Sequence, residues 1–150
     1  MTIQEQKHTR QKSYAEAMRY IANAKDYLKT AGKDEKDESH YKDKKYVRTA
    51  CGTAYNGVFV ALDALLKIKG IDLPKNKTRR TIDFYRAAIN KDRKLLNAFN
   101  SVYNTLHLSG YYDGETRIKT IQSGFEAAID VINKIKPDSL REFHLHPEAL

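Results

Sequence analysis

The stretch Val47–Ile68 constrains this chain more than any other. Val47, Ala50, Cys51, Ala54, Tyr55, Val58, Phe59, Ala61, Leu62, Leu65, Leu66 and Ile68 recur at spacings of three and four. At about 100° per residue that is helical periodicity. The apolar residues sweep roughly 200° of the wheel, wider than the stripe of a surface helix. Thr53, Asn56, Asp63 and Lys67 mark its narrow polar side. A helix of this kind has to be surrounded, so the spacing predicts a central helix over about 43–69, stopped by Gly70. Gly52 and Gly57 inside it each cost about 1 kcal/mol relative to alanine, and close approach of a neighbour is the physical reason to keep them.

Other helices are expected around it. Ser13-Tyr14-Ala15-Glu16 reads as a capping box for a first helix over about 13–31, closed by Gly32. Residues 1–12 are expected to be a flexible N-terminal segment. The charged link Gly32 to Lys45 reads as a solvated, mobile connection. Further helices are predicted over about 78–90 (capped by Thr78 or Thr81), 92–109 (ended by Gly110) and 115–136 (stopped by Pro137). The domain therefore spans 13–136, with 137–150 as a C-terminal tail. No apolar segment alternates with period two, so no strand is expected. The fold class is all-α, a single-domain antiparallel bundle of about five helices.

Composition enters mainly through charge. The chain has 150 residues and a net charge of +8. Lys67 to Lys94 holds ten basic and three acidic residues, a local +7; the remainder holds 17 basic and 16 acidic residues and is almost neutral. Lys75, Lys77, Arg79, Arg80, Arg86, Lys91, Arg93 and Lys94 are therefore the candidate surface for an anion or nucleic acid. The competing reading is a solvated face that keeps the protein soluble.

The longest uninterrupted apolar run, Val58–Leu62, is too short to span a bilayer, and residues 1–10 carry no apolar leader. A cytoplasmic protein with no membrane partner is the expectation. One cysteine, Cys51, excludes a disulfide scaffold and a cysteine-rich zinc site. No cofactor motif is present, and no metal site is expected. His144 and His146 with Glu142 and Glu148 lack a third spaced ligand. Cys51, one turn after Arg48, reads as a small buried hydrophobe.

The stretch Arg48–Leu66, with its small residues, Ala54-Tyr55 and Ala64-Leu65-Leu66, resembles the central helix of HEPN-type bundles. Leu95–Gly114 resembles the helix of that family that runs into an Asp-Tyr-Asp-like turn, with Tyr111-Tyr112-Asp113 in its place. The chain is also similar to small helical proteins of gut Bacteroidetes. The resemblance implies a homodimer, which the wide apolar arc of the central helix also suggests. Many HEPN proteins are ribonucleases with an Arg, four to six residues, then a His. Here His107 stands where the Arg is expected. The one literal match, Arg141 to His146, lies beyond the Pro137 stop. The resemblance therefore implies a non-enzymatic binding or assembly module, and the basic 67–94 segment is the surface expected to contact nucleic acid or another polyanion, such as an acidic protein. Two further readings stay open: a degenerate ribonuclease using His107, Tyr112 and Asp113, and a protein–protein adaptor or antitoxin-like partner.

Overall fold

The computed structural model describes residues 1–140. Five α-helices make an all-α bundle: α1 (Ile3–Ala31), α2 (Lys44–Ile68), α3 (Ile82–Ile89), α4 (Arg93–Val102) and α5 (Ile118–Ile132). A π-helix, Tyr103–Tyr112, continues α4. Short 3-10 turns lie at Lys77–Arg79 and Asn133–Ile135. Among the described residues there is no strand, only the isolated bridges Lys33–Tyr41 and His40–Arg117.

α2 is central. Eleven of its residues are buried, and it packs against α1, α5 and the π-helix. Its most extensive partner is α1, where Gly57 makes the approach possible: a Cβ there would sit 2.8 Å from Tyr20 Cβ and 3.2 Å from the Ala17 carbonyl oxygen. α2 also has the length and mean hydropathy of a membrane span. The sequence shows no long uninterrupted apolar run, because Asn56 and Asp63 interrupt it, yet the average over a wider window is high. More than half of that window is buried inside the bundle, as befits a core helix. Asp63 is accounted for within the fold: it accepts from the Tyr85 hydroxyl at 2.7 Å and pairs with Arg80 at 3.7 Å, tying α3 and the preceding loop to α2.

Four expectations need correction. The first helix begins ten residues before Ser13. Thr2 is its N-cap, accepting from the Glu5 N–H at 3.0 Å. Residues 3–12 are rich in Gln, Glu, Lys and Arg, which extend a helix cheaply once it is nucleated. Arg10 also donates to the Lys134 carbonyl at 3.2 Å, so this segment is an ordered helix rather than a flexible lead-in.

Second, the charged 32–43 link is pinned. Tyr41 N donates to Thr116 O at 2.7 Å, Ile118 N to Ser39 O at 2.9 Å and Lys42 N to Gly32 O at 2.8 Å. His40 Nδ1 lies 2.9 Å from Thr116 Oγ1. Third, Gly110 does not end a helix, since the chain passes through it in the π-helix. Fourth, the third and fifth helices are shorter than their patterns suggest: α3 starts only after the Lys77–Arg79 turn and its Thr81 cap, while α5 starts after Arg117, which is bridged to His40, and gives way to the Asn133–Ile135 turn. Thr81 is the cap of α3, accepting from Phe84 N at 3.1 Å.

Candidate functional site

The π-helix carries the most distinctive side-chain arrangement in the molecule. In its i→i+5 geometry the turn is wider than in an α-helix, and such segments often occur at functional sites. The wider turn lets one residue meet both its fourth and its fifth successor. His107 does so. It lies nearly parallel to Tyr111 (centroids 6.2 Å apart, 7° between planes) and edge-on to Tyr112 (5.0 Å, 87°). One turn earlier Tyr103 lies 5.4 Å away. From α2, Tyr55 stacks on His107 at 4.7 Å and 14°. Tyr55 in turn meets Phe59 edge-on, and Phe59 meets Tyr85 and Phe99. The rings thus run from the core to the surface, where Tyr111 and Tyr112 are 49% and 63% exposed.

Small residues make this arrangement fit. Gly52 leaves room for Tyr111, whose Cδ2 would stand 3.3 Å from a Cβ at that position. Gly110 lies directly on Cys51, and a Cβ there would overlap the sulfur. Gly114, at φ +69°, turns the chain beneath the Lys44 and Arg48 side chains.

Cations flank the ring series at both ends. The Arg86 guanidinium lies over the Tyr103 ring at 5.1 Å, held there by Nε donating to Asn100 Oδ1 at 2.9 Å. Arg48 donates to the Tyr112 carbonyl at 3.4 Å. Burial holds the His107 pKa below its ordinary value, which favours the neutral imidazole. Desolvation also pushes the Tyr55 phenol up, with Tyr103 adding to the effect. Cys51 is pushed up to about 12 by burial, which suits a packing residue and not a nucleophile.

The structure brings His107 and Tyr112 together and leaves Asp113 apart. Asp113 caps the end of the π-helix through its N–H to Leu108 O at 2.9 Å. Among the described residues no hydrogen bond or ion pair links it to His107. The basic residues divide. Arg80 is held by Pro74 O at 2.8 Å and by Asp63, and Arg86 belongs to the ring series. Lys75 lines a groove beside Gly70–Leu73, while Lys94 lines a different one between α4 and α5. Lys77 opens a 3-10 turn. Arg79, Lys91 and Arg93 are exposed. His144, His146, Glu142, Glu148 and the Arg141–His146 match lie outside the described residues. Among the described residues no group of three potential metal ligands assembles.

Tyr55, Arg48 and Lys44 were not singled out as site residues by sequence reasoning. The Tyr103–His107–Tyr111 spacing was a usable signal, but nothing local says that Tyr55 of α2 stacks on its middle member.

No curated protein matches the chain. A solved structure of a protein of unknown function from Dyadobacter fermentans is similar to it at 37% identity and a TM-score of 0.70, covering 84% of this chain and 94% of that one. The family described as a domain of unknown function, DUF5618, matches residues 12–137, and this chain belongs to that family.

Proposed function

We propose that this protein is a non-enzymatic, HEPN-like helical module that holds single-stranded nucleic acid on its aromatic ledge. The observation that carries the reading is the solvent-facing Tyr111–Tyr112 pair, backed by His107 and Tyr55, with Arg86 at the Tyr103 end of the ring series and Arg48 at the Tyr112 end. Exposed tyrosine faces accept bases of any identity, while flanking guanidinium groups attract phosphate. The likeness to HEPN bundles is supported by the all-α architecture and by a central helix rich in small residues. It is supported too by a helix that runs into Tyr111-Tyr112-Asp113. Against nuclease chemistry stands the surrounding of His107: ringed by tyrosines, partly desolvated so that the charged form is disfavoured, and joined to no carboxylate among the described residues.

Fluorescence anisotropy with labelled single-stranded RNA tests it. Binding is expected at low salt and falls steeply as salt rises. Tyr111→Ala and Tyr112→Ala should each weaken it by about fivefold to a hundredfold, the loss of one stacked base. Charge reversal at the exposed Arg79 and Lys91 should weaken it alike for all sequences. No binding at low salt, or tyrosine variants that bind like the parent, would refute the reading. RNA cleavage that disappears in His107→Ala would replace it with the ribonuclease alternative. A homodimer is part of the proposal. Leu108, Tyr111 and Tyr112 form an exposed patch in which a second copy and a nucleic acid would compete. A monomer in sedimentation at tens of micromolar removes the dimer and leaves the ledge.

A further inference from the structure

A cleft of about 760 Å³ opens between the C-terminal end of α1 and α5, away from the aromatic ledge. Its construction is local and specific. Gly32, at φ +66°, ends α1 and turns the chain so that Lys33 pairs with Tyr41 in an antiparallel bridge. That bridge forms one wall, and its position is fixed by the Tyr41 N–H bond to Thr116 O. The floor is apolar: Leu28 from α1, and Phe125 and Ile129 from one face of α5. The rim is cationic. Lys25, Lys29 and Lys33 all border the cleft, and among the described residues none of the three takes part in an ion pair. Attraction to the carbonyl end of α1 gives a reason for Lys29 in the last turn. It gives none for Lys25 or Lys33. Among the described residues Glu126 is the single carboxylate on the rim, so the balance of those residues is positive. The Tyr41 phenol also borders the cleft. Burial favours its protonated, donating form.

An apolar floor of this volume under an ammonium rim is complementary to one class of ligand. We propose that the α1–α5 cleft binds an amphipathic carboxylate, a fatty-acid-like monoanion whose chain lies on Leu28, Phe125 and Ile129 and whose head group meets Lys25, Lys29 and Lys33. This site is separate from the ledge and does not depend on its function.

The test is calorimetric titration of the full chain with sodium dodecanoate, kept below its micelle threshold. Methyl resonances of Leu28 and Ile129 are followed in parallel. Dodecyltrimethylammonium and dodecyl maltoside serve as cationic and neutral controls of equal chain length. One equivalent of dodecanoate should bind and shift the Leu28 and Ile129 methyls, with the controls at least about tenfold weaker. Lys25→Gln and Lys29→Gln should each weaken binding up to about fivefold, the size of one exposed charge contact. Both side chains are exposed, so the variants should keep the parental circular dichroism. Equal affinity for dodecanoate and the cationic control overturns the proposal without any variant. So does undiminished binding when Lys25→Gln and Lys29→Gln are combined, or shifts that map elsewhere. Co-sedimentation with phosphatidylglycerol vesicles in the absence of monomer binding also overturns it, in favour of a membrane-surface contact.

Discussion

Alanine at position 110 is the most direct probe of the π-helix. In an ordinary helix interior, Gly→Ala gains about 1 kcal/mol. Here the added methyl would overlap Cys51 Sγ, approach Cys51 Cβ to 3.0 Å and reach the Thr105 carbonyl oxygen at 3.2 Å. Both sides are buried: Cys51 lies in the centre of α2, and Gly110 is enclosed. Relief therefore requires α2 and the π-helix to separate. Overpacking of this kind costs about 1–3 kcal/mol, occasionally more. A cost near the upper end, offset by the propensity gain, leaves Gly110→Ala destabilised by about 1–2 kcal/mol. At this chain length that lowers Tm by roughly 2–8 °C. The sharper measurement is a double-mutant cycle in urea. Cys51→Ala removes the sulfur that the new methyl would meet, so the double variant should recover at least about 1 kcal/mol relative to the sum of the singles. Because His107 is three residues from Gly110, the single variant should also shift the His107 and Tyr111 ring resonances. A Gly110→Ala protein more stable than the parent, or a cycle with no coupling to Cys51, would refute the close-packing account.

Two other side chains, His107 and Asp92, have measurable effects on stability. Below about pH 6.5 folding stability should fall, because the unfolded chain takes up a proton that the lowered His107 pKa denies the folded state; His107→Phe should flatten that part of the urea-midpoint profile. Asp92→Ala should cost about 1–2 kcal/mol. It removes both the N-cap of α4, where Leu95 N donates to Asp92 Oδ1 at 3.1 Å, and the 2.9 Å contact with Lys134; far-UV melting measures it, and Asp92→Asn should keep most of the capping share.

How much was legible in the sequence varied with the kind of interaction. α2 could be read because burial leaves a periodic mark, and its flanking signals, Gly70 above all, were in place. The start of α1 could not. Residues 3–12 have no apolar face, and the Thr2 cap stands at the very beginning, away from any hydrophobic run. The 32–43 link looked mobile because its side chains are charged, whereas what orders it is backbone hydrogen bonding to Thr116 and Ser39–Ile118, which composition does not encode. The π-helix was hidden for a related reason. A change from i+4 to i+5 bonding alters no residue preference strongly, and Gly110, ordinarily a stop signal, is there for contact with Cys51. His107, Tyr111 and Tyr112 were recognisable as neighbours by spacing. Tyr55 and Arg48 join them only because α2 packs on the π-helix.

The strong positive charge between Lys67 and Lys94 takes on a different meaning in three dimensions. Arg80 ties the 74–80 loop to the core through Pro74 O and Asp63, and Asp63 also holds Tyr85 of α3. Arg86 bridges α3 to α4 through Asn100 and covers Tyr103. α3 is only eight residues long and makes few backbone-level approaches to the rest of the bundle, so these polar bonds help set its position. Part of the local charge is therefore structural, and its reach toward an anionic ligand passes through Arg86, whose guanidinium lies over Tyr103 of the aromatic series. Replacing Arg86 would then disturb two things at once: the docking of α3 and the cationic end of the ledge. Replacing Arg79, which is exposed, would change the field alone. The comparison of those two variants separates the scaffold role of the basic segment from its role as an attractor of phosphate.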